Sequence, residues 1–289
     1  MSYFVVKIDK KYDSYSLPTY LSSFYLSTDK IKYLINNNCC FINGVVVKDD
    51  YQVKEADELC IDTSFYDGNE LLPSEKELNI LYEDEYLLII SKPAKCIIYP
   101  DDLSKNNTLG NYVLNYYLSN DYDYKVRHAH RLDFDTTGCI VYAKDVITHA
   151  AICKMIETKE LIRKYLAVVE GAIDKKKDLI DLPIGKNRHV NGKMIVSKTG
   201  KRAITSYEVL KTKNNKSLVL LKLETGRTHQ IRVHMSHLNH PLVGDELYGA
   251  KTKEKRVLLH SYMVEFIHPI TNKRIKVIDD MPDEMKKYF

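Results

Sequence analysis

The side chains best suited to chemistry lie in one short segment, residues 130–138, which reads HRLDFDTTG. Its carboxylate Asp133 sits in a turn that ends at Gly138 and leads into the apolar run Cys139–Ala143. A carboxylate held next to a strand can act as a nucleophile or as a base. Two other interpretations are open. Asp133 could be a solvated turn residue, or it could pair with Asp135 to hydrolyse a glycosidic bond.

Two further segments with cationic and aromatic side chains follow in a fixed order. They are residues 163–171 (RKYLAVVEG) and 223–234 (LETGRTHQIRVH), and the second continues into 239–249 (NHPLVGDELYG). Together with residues 130–138 they resemble the three motifs of the RluA family of RNA pseudouridine synthases. That family isomerises uridine in folded RNA without a cofactor. The resemblance therefore implies an isomerase whose partner is structured RNA and which needs neither a cofactor nor a metal.

The resemblance also assigns roles to individual residues. Asp133 is expected to be the essential carboxylate, acting where the ribose joins the uracil. Arg227 is expected to form the ion pair that keeps this carboxylate ionised, since a nearby cation opposes the pKa rise that burial causes. Tyr165 is expected to pack against the target uracil, and Arg131 to fill the gap left by the flipped nucleotide. For Arg232 the sequence leaves open whether it forms the ion pair with the catalytic carboxylate or binds phosphate or surface carboxylates, and we include it among the expected RNA-binding residues.

The charge distribution favours RNA binding by the second part of the chain. The formal net charge of +4 is too small to argue for nucleic acid alone. Residues 1–62 carry seven lysines and nine acidic residues, whereas the remainder carries 36 basic and 30 acidic residues. Residues 185–202 contain six basic residues and no acidic one. Such a run is either a solvated loop or a surface that follows phosphates. We expect phosphate contacts at four of its residues: Lys186, Arg188, Lys201 and Arg202.

Residues 1–70 are predicted to form a small α+β domain. Its order of elements resembles the S4 RNA-binding module, which several RluA-type enzymes carry ahead of the catalytic domain. The resemblance implies an RNA contact at Lys30, where that module usually has arginine. The predicted elements are a helix in Leu17–Leu26, a second helix capped by Thr28 or Asp29, a hairpin at Asn43-Gly44, and strands at Tyr51–Lys54 and Glu58–Ile61.

Residues 71–289 are predicted to form an α+β catalytic domain. A mainly antiparallel sheet with flanking helices is expected, which is the pseudouridine synthase fold. A charged linker is predicted for Asp67–Glu77, and it suggests few contacts between residues 1–70 and the rest of the chain. The remaining signals are a buried strand at Tyr86–Ile90, helices that begin at Asp145 and Thr228, and a hairpin at residues 213–216 between strands 204–210 and 217–223.

Several classes of protein are excluded or disfavoured by composition. No run approaches the about 18 apolar residues that a membrane-spanning helix needs, and the amino terminus lacks the pattern of a signal peptide. The six cysteines show no C-x-x-C spacing, which favours free thiols over a disulfide framework or a zinc site. We therefore expect a cytoplasmic monomer. Its expected substrate is large-subunit ribosomal RNA; transfer RNA, or a non-catalytic role in RNA binding or ribosome assembly, is the alternative.

Overall fold

The structure of the protein is a computed structural model that describes residues 3–64, 70–100, 102 and 106–289. Positions 67–69 of the predicted linker lie outside the described residues. The first part of the chain folds into a four-stranded antiparallel sheet packed on two helices. Its elements are β1 (Tyr3–Lys7), α1 (Leu17–Ser22), α2 (Thr28–Asn36), β2 (Cys40–Ile42), β3 (Val45–Val46) and β4 (Glu58–Asp62), with the strand order β1-β4-β2-β3.

Local turn chemistry explains most of this part. Asn43 and Gly44 have φ angles of 50° and 80°, as the predicted type I′ hairpin turn requires. Helix α2 is capped by Ser27 rather than by Thr28 or Asp29. The Ser27 hydroxyl accepts a hydrogen bond from the backbone N–H of Lys30, the third residue of the helix. The strand predicted at Tyr51–Lys54 is reduced to one isolated bridge, and β1 was not predicted.

The second part is built on a ten-stranded sheet. The elements of this part are β5 (Asn79–Glu83), β6 (Leu87–Lys92), α3 (Leu109–Ser119), β7 (Arg127–His128), β8 (Thr137–Ala143), α4 (Val146–Glu157), β9 (Ile162–Glu170), β10 (Lys177–Asp181), β11 (Ile184–Lys186), β12 (Met194–Val196), β13 (Ile204–Lys213), β14 (Lys216–Leu223), α5 (Gln230–His237), β15 (Leu259–Ile267), β16 (Arg274–Ile278) and α6 (Asp283–Lys286). The order of the main strands in the sheet is β10-β13-β14-β9-β15-β8-β6-β5. In addition, β16 pairs with β15 and β7 with β8, whereas β11 and β12 form a separate hairpin.

The pairing confirms the predicted α+β class. Among the described strands of this part, all the pairs are antiparallel except β8 with β15. The predicted hairpin joins β13 to β14 through Asn214 and Asn215, both with positive φ. Asp145 caps α4 as predicted, accepting hydrogen bonds from the backbone N–H groups of Ile147 and Thr148. Among the described residues, none of the helices has the length and apolar character needed to cross a bilayer.

The central strands β6 and β8 are buried on both faces, which explains their continuous apolar sequence. Side chains alternate along a strand, so each strand serves two cores. Leu87 and Ile89 pack with Ile152 of α4 on one face, whereas Leu88 and Ile90 pack on the other face with residues of α3. The sheet is thereby fixed in position, and the loops at the ends of its strands can hold a site rigidly.

The two parts of the chain share an apolar contact that the sequence did not predict. The rings of Phe4 on β1 and Tyr86 pack in a tilted arrangement with centroids 6.0 Å apart, and the Tyr86 hydroxyl donates to the carbonyl of Val5. Val146 and Ile147 of α4 belong to the same buried cluster as the core of the first part. The expectation of few contacts between the parts therefore differs from the structure, because one end of α4 completes the smaller core.

Candidate active site

The three segments singled out in the sequence meet in one pocket of about 780 Å³. Ligand pockets in proteins commonly have 300–1,000 Å³, so a single nucleotide fits. The pocket lies between the loop that precedes β8, the start of β9 and the loop that leads into α5. Five of the residues predicted for the site line it: Arg131, Asp133, Tyr165, Arg227 and Arg232.

The loop that carries Asp133 is held by its backbone. The carbonyl of Phe134 accepts a hydrogen bond of 3.0 Å from the Nζ of Lys92, and the carbonyl of Asp135 accepts one of 3.1 Å from the Nη1 of Arg256. Both cations are buried. The loop therefore presents Asp133 in a defined position without using the Asp133 carboxylate for its own stability.

Gly138 fixes the far end of this loop. Its φ of +107° is unfavourable for residues with a side chain, and a Cβ there would lie 2.3 Å from the carbonyl oxygen of Ser261 on β15. Only glycine allows β8 and β15 to approach this closely at the point where they pair in parallel. The glycine that ends the motif therefore has a packing reason.

The buried cation next to Asp133 is Arg232. Its Nη1 lies 3.5 Å from the Oδ2 of Asp133, whose side chain is 27% exposed. The other edge of the same guanidinium makes two hydrogen bonds to Asp245, at 2.7 Å from Nε and 2.8 Å from Nη2. Asp245 is 1% exposed, and the Tyr248 ring lies 4.9 Å from the guanidinium carbon. Burial lowers the pKa of Arg232, but the bonds to Asp245 outweigh this effect and raise it, so the cation stays charged.

Tyr165 lies on β9 and forms part of the pocket wall. It is 3% exposed, and burial raises the pKa of its hydroxyl, so it is protonated at neutral pH. His130 is also buried, and burial followed by the charge of Arg163 lowers its pKa to about 3. His130 is therefore neutral at neutral pH. These two side chains offer packing and hydrogen bonds, but no charge that would compete with Asp133.

Arg227 lines the pocket, but among the described residues the ion pair with Asp133 is made by Arg232, so a catalytic role of Arg227 stays a prediction. Helix α5 begins at Gln230, not at Thr228, because His229 adopts a left-handed conformation with φ 56° at the cap position. Arg227 is thus left on the preceding loop, where it is exposed and its Nε donates to the carbonyl of Arg202 at 3.0 Å. The carboxylate contact falls to Arg232, one of the two possibilities that the sequence left open for that residue.

The other predicted RNA-binding residues lie outside the pocket. Lys186, Arg188 and Lys201 are exposed on the strand pair β11–β12 and its loops. Arg202 is exposed as well, but it forms an ion pair of 2.9 Å with Asp181. Through the contact of Arg227 with the Arg202 carbonyl, this basic surface adjoins the pocket mouth. Lys30 lies on α2 in the first part of the chain, near His149 and Cys153 of α4.

Sequence reasoning assigned no role to Arg163, Asp245 and Tyr248, although all three lie in the quoted motifs. Burial is the signal that it lacked, because an exposed and a buried arginine look alike in a sequence. Among the described residues, no group of three or more His, Cys, Asp or Glu side chains is placed to hold a metal ion.

Comparison with known proteins agrees with this geometry. The profile of a family described as RNA pseudouridylate synthase matches residues 86–237. The uncharacterized RNA pseudouridine synthase YhcT of Bacillus subtilis is 42% identical over 85% of this chain and 82% of its own length. The chain belongs to the RNA pseudouridylate synthase family. Its members convert uridine in RNA to pseudouridine, and the isomerase predicted from the sequence is confirmed.

Further relatives extend the match beyond the family segment. Ribosomal large subunit pseudouridine synthase D of Zymomonas mobilis is 32% identical over 91% of this chain and 89% of its own length. The solved structure of human RNA pseudouridylate synthase domain containing 1 has a TM-score of 0.60 and 26% identity, covering 73% of this chain and 86% of that one. The pseudouridine synthase fold is therefore confirmed as well, and the family segment contains Asp133, Tyr165 and Arg232.

Proposed function

We propose that this pseudouridine synthase modifies large-subunit ribosomal RNA and that Asp133 is its essential residue. The observation that supports the second point is the position of the Asp133 carboxylate, inside the pocket and 3.5 Å from a buried guanidinium. The first point is supported by relatives at about 31–32% identity that are named for the large ribosomal subunit. Transfer RNA remains the alternative substrate, which the experiment below separates.

The chemistry needs little more than this pocket supplies. The bond from ribose C1′ to uracil N1 breaks, the base turns, and a bond from C1′ to C5 forms. Asp133 either attacks C1′ or removes a ribose proton, and both routes require its ionised form. The charged guanidinium of Arg232 lies 3.5 Å from this carboxylate and attracts it electrostatically. Tyr165 packs against the flipped base. No external donor or oxidant is consumed, since substrate and product are isomers.

RNA binding is assigned to surfaces around the pocket. Arg227 and Arg131 lie at its mouth, where Arg131 is exposed and can fill the space left by the flipped nucleotide. The exposed residues Lys186, Arg188, Lys201 and Arg202 follow the phosphates beyond Arg227. Residues 1–70 act as an S4-like RNA-binding domain that contacts RNA through Lys30, and residues 71–289 as the catalytic domain.

The proposal also covers the working form of the enzyme. A monomer suffices, because residues of a single chain line the pocket. The six cysteines are free thiols, which suits the reducing cytoplasm, where ribosomal RNA of bacteria is made.

The substitution Asp133→Asn tests the assignment. The amide keeps the size of the side chain but cannot act as an anionic nucleophile or base, so turnover should fall by about 1,000-fold or more with RNA affinity nearly unchanged. Asp135→Asn is the matched control, and its turnover should stay within a few-fold of the parent. The assay follows pseudouridine formation in a ribosomal RNA fragment and in a transfer RNA transcript. Turnover of Asp133→Asn within tenfold of the parent contradicts the assignment.

The substrate is tested in cells that lack the protein. Mapping of pseudouridines should show the loss of one or more sites in large-subunit ribosomal RNA. Loss confined to transfer RNA would refute the ribosomal substrate but not the isomerase. Release of free uracil by the purified protein would point instead to hydrolysis.

A further inference from the structure

A second buried arginine, Arg163, lines the pocket without a role in the chemistry described so far. It is 6% exposed and stands two residues before Tyr165 on β9, so the two side chains point to the same face of the sheet. The Nη1 and Nη2 of Arg163 lie 3.6 and 3.9 Å from the position of a Cβ on Gly226. The guanidinium thus lies in the pocket wall, beneath the loop that leads to Arg227.

This guanidinium lacks the partners that other buried arginines of the chain have. Its Nε makes no hydrogen bond, and none of the described carboxylates forms an ion pair with it. By contrast, Arg232 pairs with Asp245, and Arg256 pairs with Glu284. Burying a charge without a partner is costly. Its neighbours His130 and Tyr165 are both neutral at neutral pH. In the absence of RNA, the charge is therefore uncompensated at close range.

The position of Arg163 selects one part of the substrate. Asp133 must reach the sugar, whereas Tyr165 packs against the base, so a side chain beside Tyr165 meets the edge of the base. Two residues along a strand span roughly 7 Å, about the size of a pyrimidine ring. The edges of uracil carry two acceptors, O2 and O4. In a nucleotide the phosphates are attached to the sugar and not to the base, so a side chain that meets the base edge is not placed to bind them.

Resting on the proposed function, we propose that Arg163 binds a carbonyl oxygen of the target uracil and stabilises the charge that develops there. When the C1′–N1 bond breaks, its electron pair leaves with uracil, and the negative charge spreads over N1, O2 and O4. C1′ either bonds to the Asp133 carboxylate, or its deficit is met by loss of a ribose proton to Asp133. After the base turns, C5 bonds to C1′ as the Asp133–C1′ bond breaks or, on the other route, as the ribose proton returns from Asp133. C5 then loses its proton and N1 gains one, so that no atom is gained or lost and the Asp133 carboxylate is regenerated.

The contact is stronger in the transition state than in the ground state. A guanidinium attracts the departing uracil anion more than the neutral base, and such differential binding accelerates the reaction rather than tightening the substrate complex. The scarcity of competing charges near Arg163 increases the effect, because the interaction takes place in a buried, low-dielectric site.

Arg163→Met and Arg163→Lys test the proposal. Loss of one preorganised donor at a developing anion commonly costs about 100–1,000-fold in kcat. We expect Arg163→Met to lose that much kcat with less than about a threefold change in KM, and Arg163→Lys to recover part of it. The melting temperature of Arg163→Met should not fall, because an uncompensated buried charge is removed. Arg274→Met, which changes an exposed arginine on β16, is the control and should keep full activity.

The substrate provides the second arm. RNA carrying 2-thiouridine or 4-thiouridine at the target position weakens one acceptor at a time, since sulfur accepts hydrogen bonds poorly. One of the two should slow the parent enzyme by more than about tenfold, yet scarcely slow Arg163→Met further, because the contact is already missing. The position that loses its effect identifies O2 or O4.

The outcomes separate this inference from the proposed function. If the parent enzyme does not isomerise RNA, both the proposed function and the inference about Arg163 are refuted. An active parent with Arg163→Met unchanged in kcat overturns the inference alone. So does a variant that loses activity together with thermal stability and is not rescued by lysine, which indicates a structural role. A weaker salt dependence of RNA binding in Arg163→Met, by about 0.7–0.9 in the log–log slope, would indicate a phosphate contact and also overturn it.

Discussion

Asp245 offers the sharpest test of how the site is held together, because it touches Arg232 and not Asp133. The change Asp245→Asn removes a charge that is 1% exposed and accepts two hydrogen bonds from the Arg232 guanidinium, at 2.7 and 2.8 Å. Breaking a buried ion pair by removing one partner costs about 3–5 kcal/mol. Asparagine keeps one acceptor oxygen, so we expect a loss of about 2–3 kcal/mol in the free energy of unfolding.

The expected loss translates into a measurable change in melting temperature. For a chain of this size, 1 kcal/mol corresponds to roughly 2–4 °C, so the melting temperature should fall by about 4–12 °C. Turnover should fall by about 10–100-fold, because Arg232 loses the contact that orients it towards Asp133. Asp178→Asn is the matched control. It removes an exposed ion pair with Lys175, of 2.7 Å, and should change neither quantity measurably.

Thermal unfolding and steady-state turnover of both variants check this reasoning. A melting temperature of Asp245→Asn within about 1 °C of the parent would mean that the buried pair adds nothing to stability. Unchanged turnover with lowered stability would mean that Arg232 is oriented by Tyr248 and the packing around it, not by Asp245.

Two further predictions concern RNA binding and the approach of β8 to β15. Neutral substitutions at Lys186, Arg188 and Lys201 should each reduce the slope of the logarithm of the RNA-binding constant against the logarithm of the salt concentration by about 0.7–0.9. Filter binding at several salt concentrations measures this slope. An unchanged slope would mean that these residues form an ordinary solvated surface. Gly138→Ala should leave little folded protein, because the added methyl group overlaps the Ser261 carbonyl. The control Gly192→Ala is also at positive φ but in open space, so it should lower the free energy of unfolding by only about 1 kcal/mol. Soluble yield and melting temperature compare the two variants.

The features that the sequence predicted correctly are those with local causes. The Asn43-Gly44 turn and the Asn214-Asn215 turn follow from the tolerance of these residues for positive φ. The cap of α4 follows from the aspartate before its apolar stripe. Three long motifs in a fixed order were enough to predict the family. Because the resemblance assigned all three motifs to one active site, it also predicted that the segments carrying them lie together.

The partner of Asp133 could not be settled in this way, because it depends on where α5 begins. The side chain of Gln230 accepts hydrogen bonds from the backbone N–H of Arg227 and from the Thr225 hydroxyl. That contact fixes the loop before the helix and turns Arg227 to the pocket mouth. A start at Thr228 would have placed Arg227 at the N-cap position instead. A shift of two residues at a helix end, which is a common error in sequence-based prediction, thus exchanges the surroundings of the two arginines.

The contact between the two parts of the chain illustrates a different limit. The apolar side chains of α4 form one stripe at helical spacing in the sequence. Such a stripe predicts that one face of the helix is buried, but not which part of the chain covers it. In the structure the start of the helix, at Val146 and Ile147, packs into the smaller core while its later turns cover the central sheet. Helix α4, which packs against β8 after the Asp133 motif, therefore also packs against the core of the amino-terminal part. The proposed RNA contact at Lys30 and the pocket consequently share the support of α4, which a chain of two independent domains would not provide.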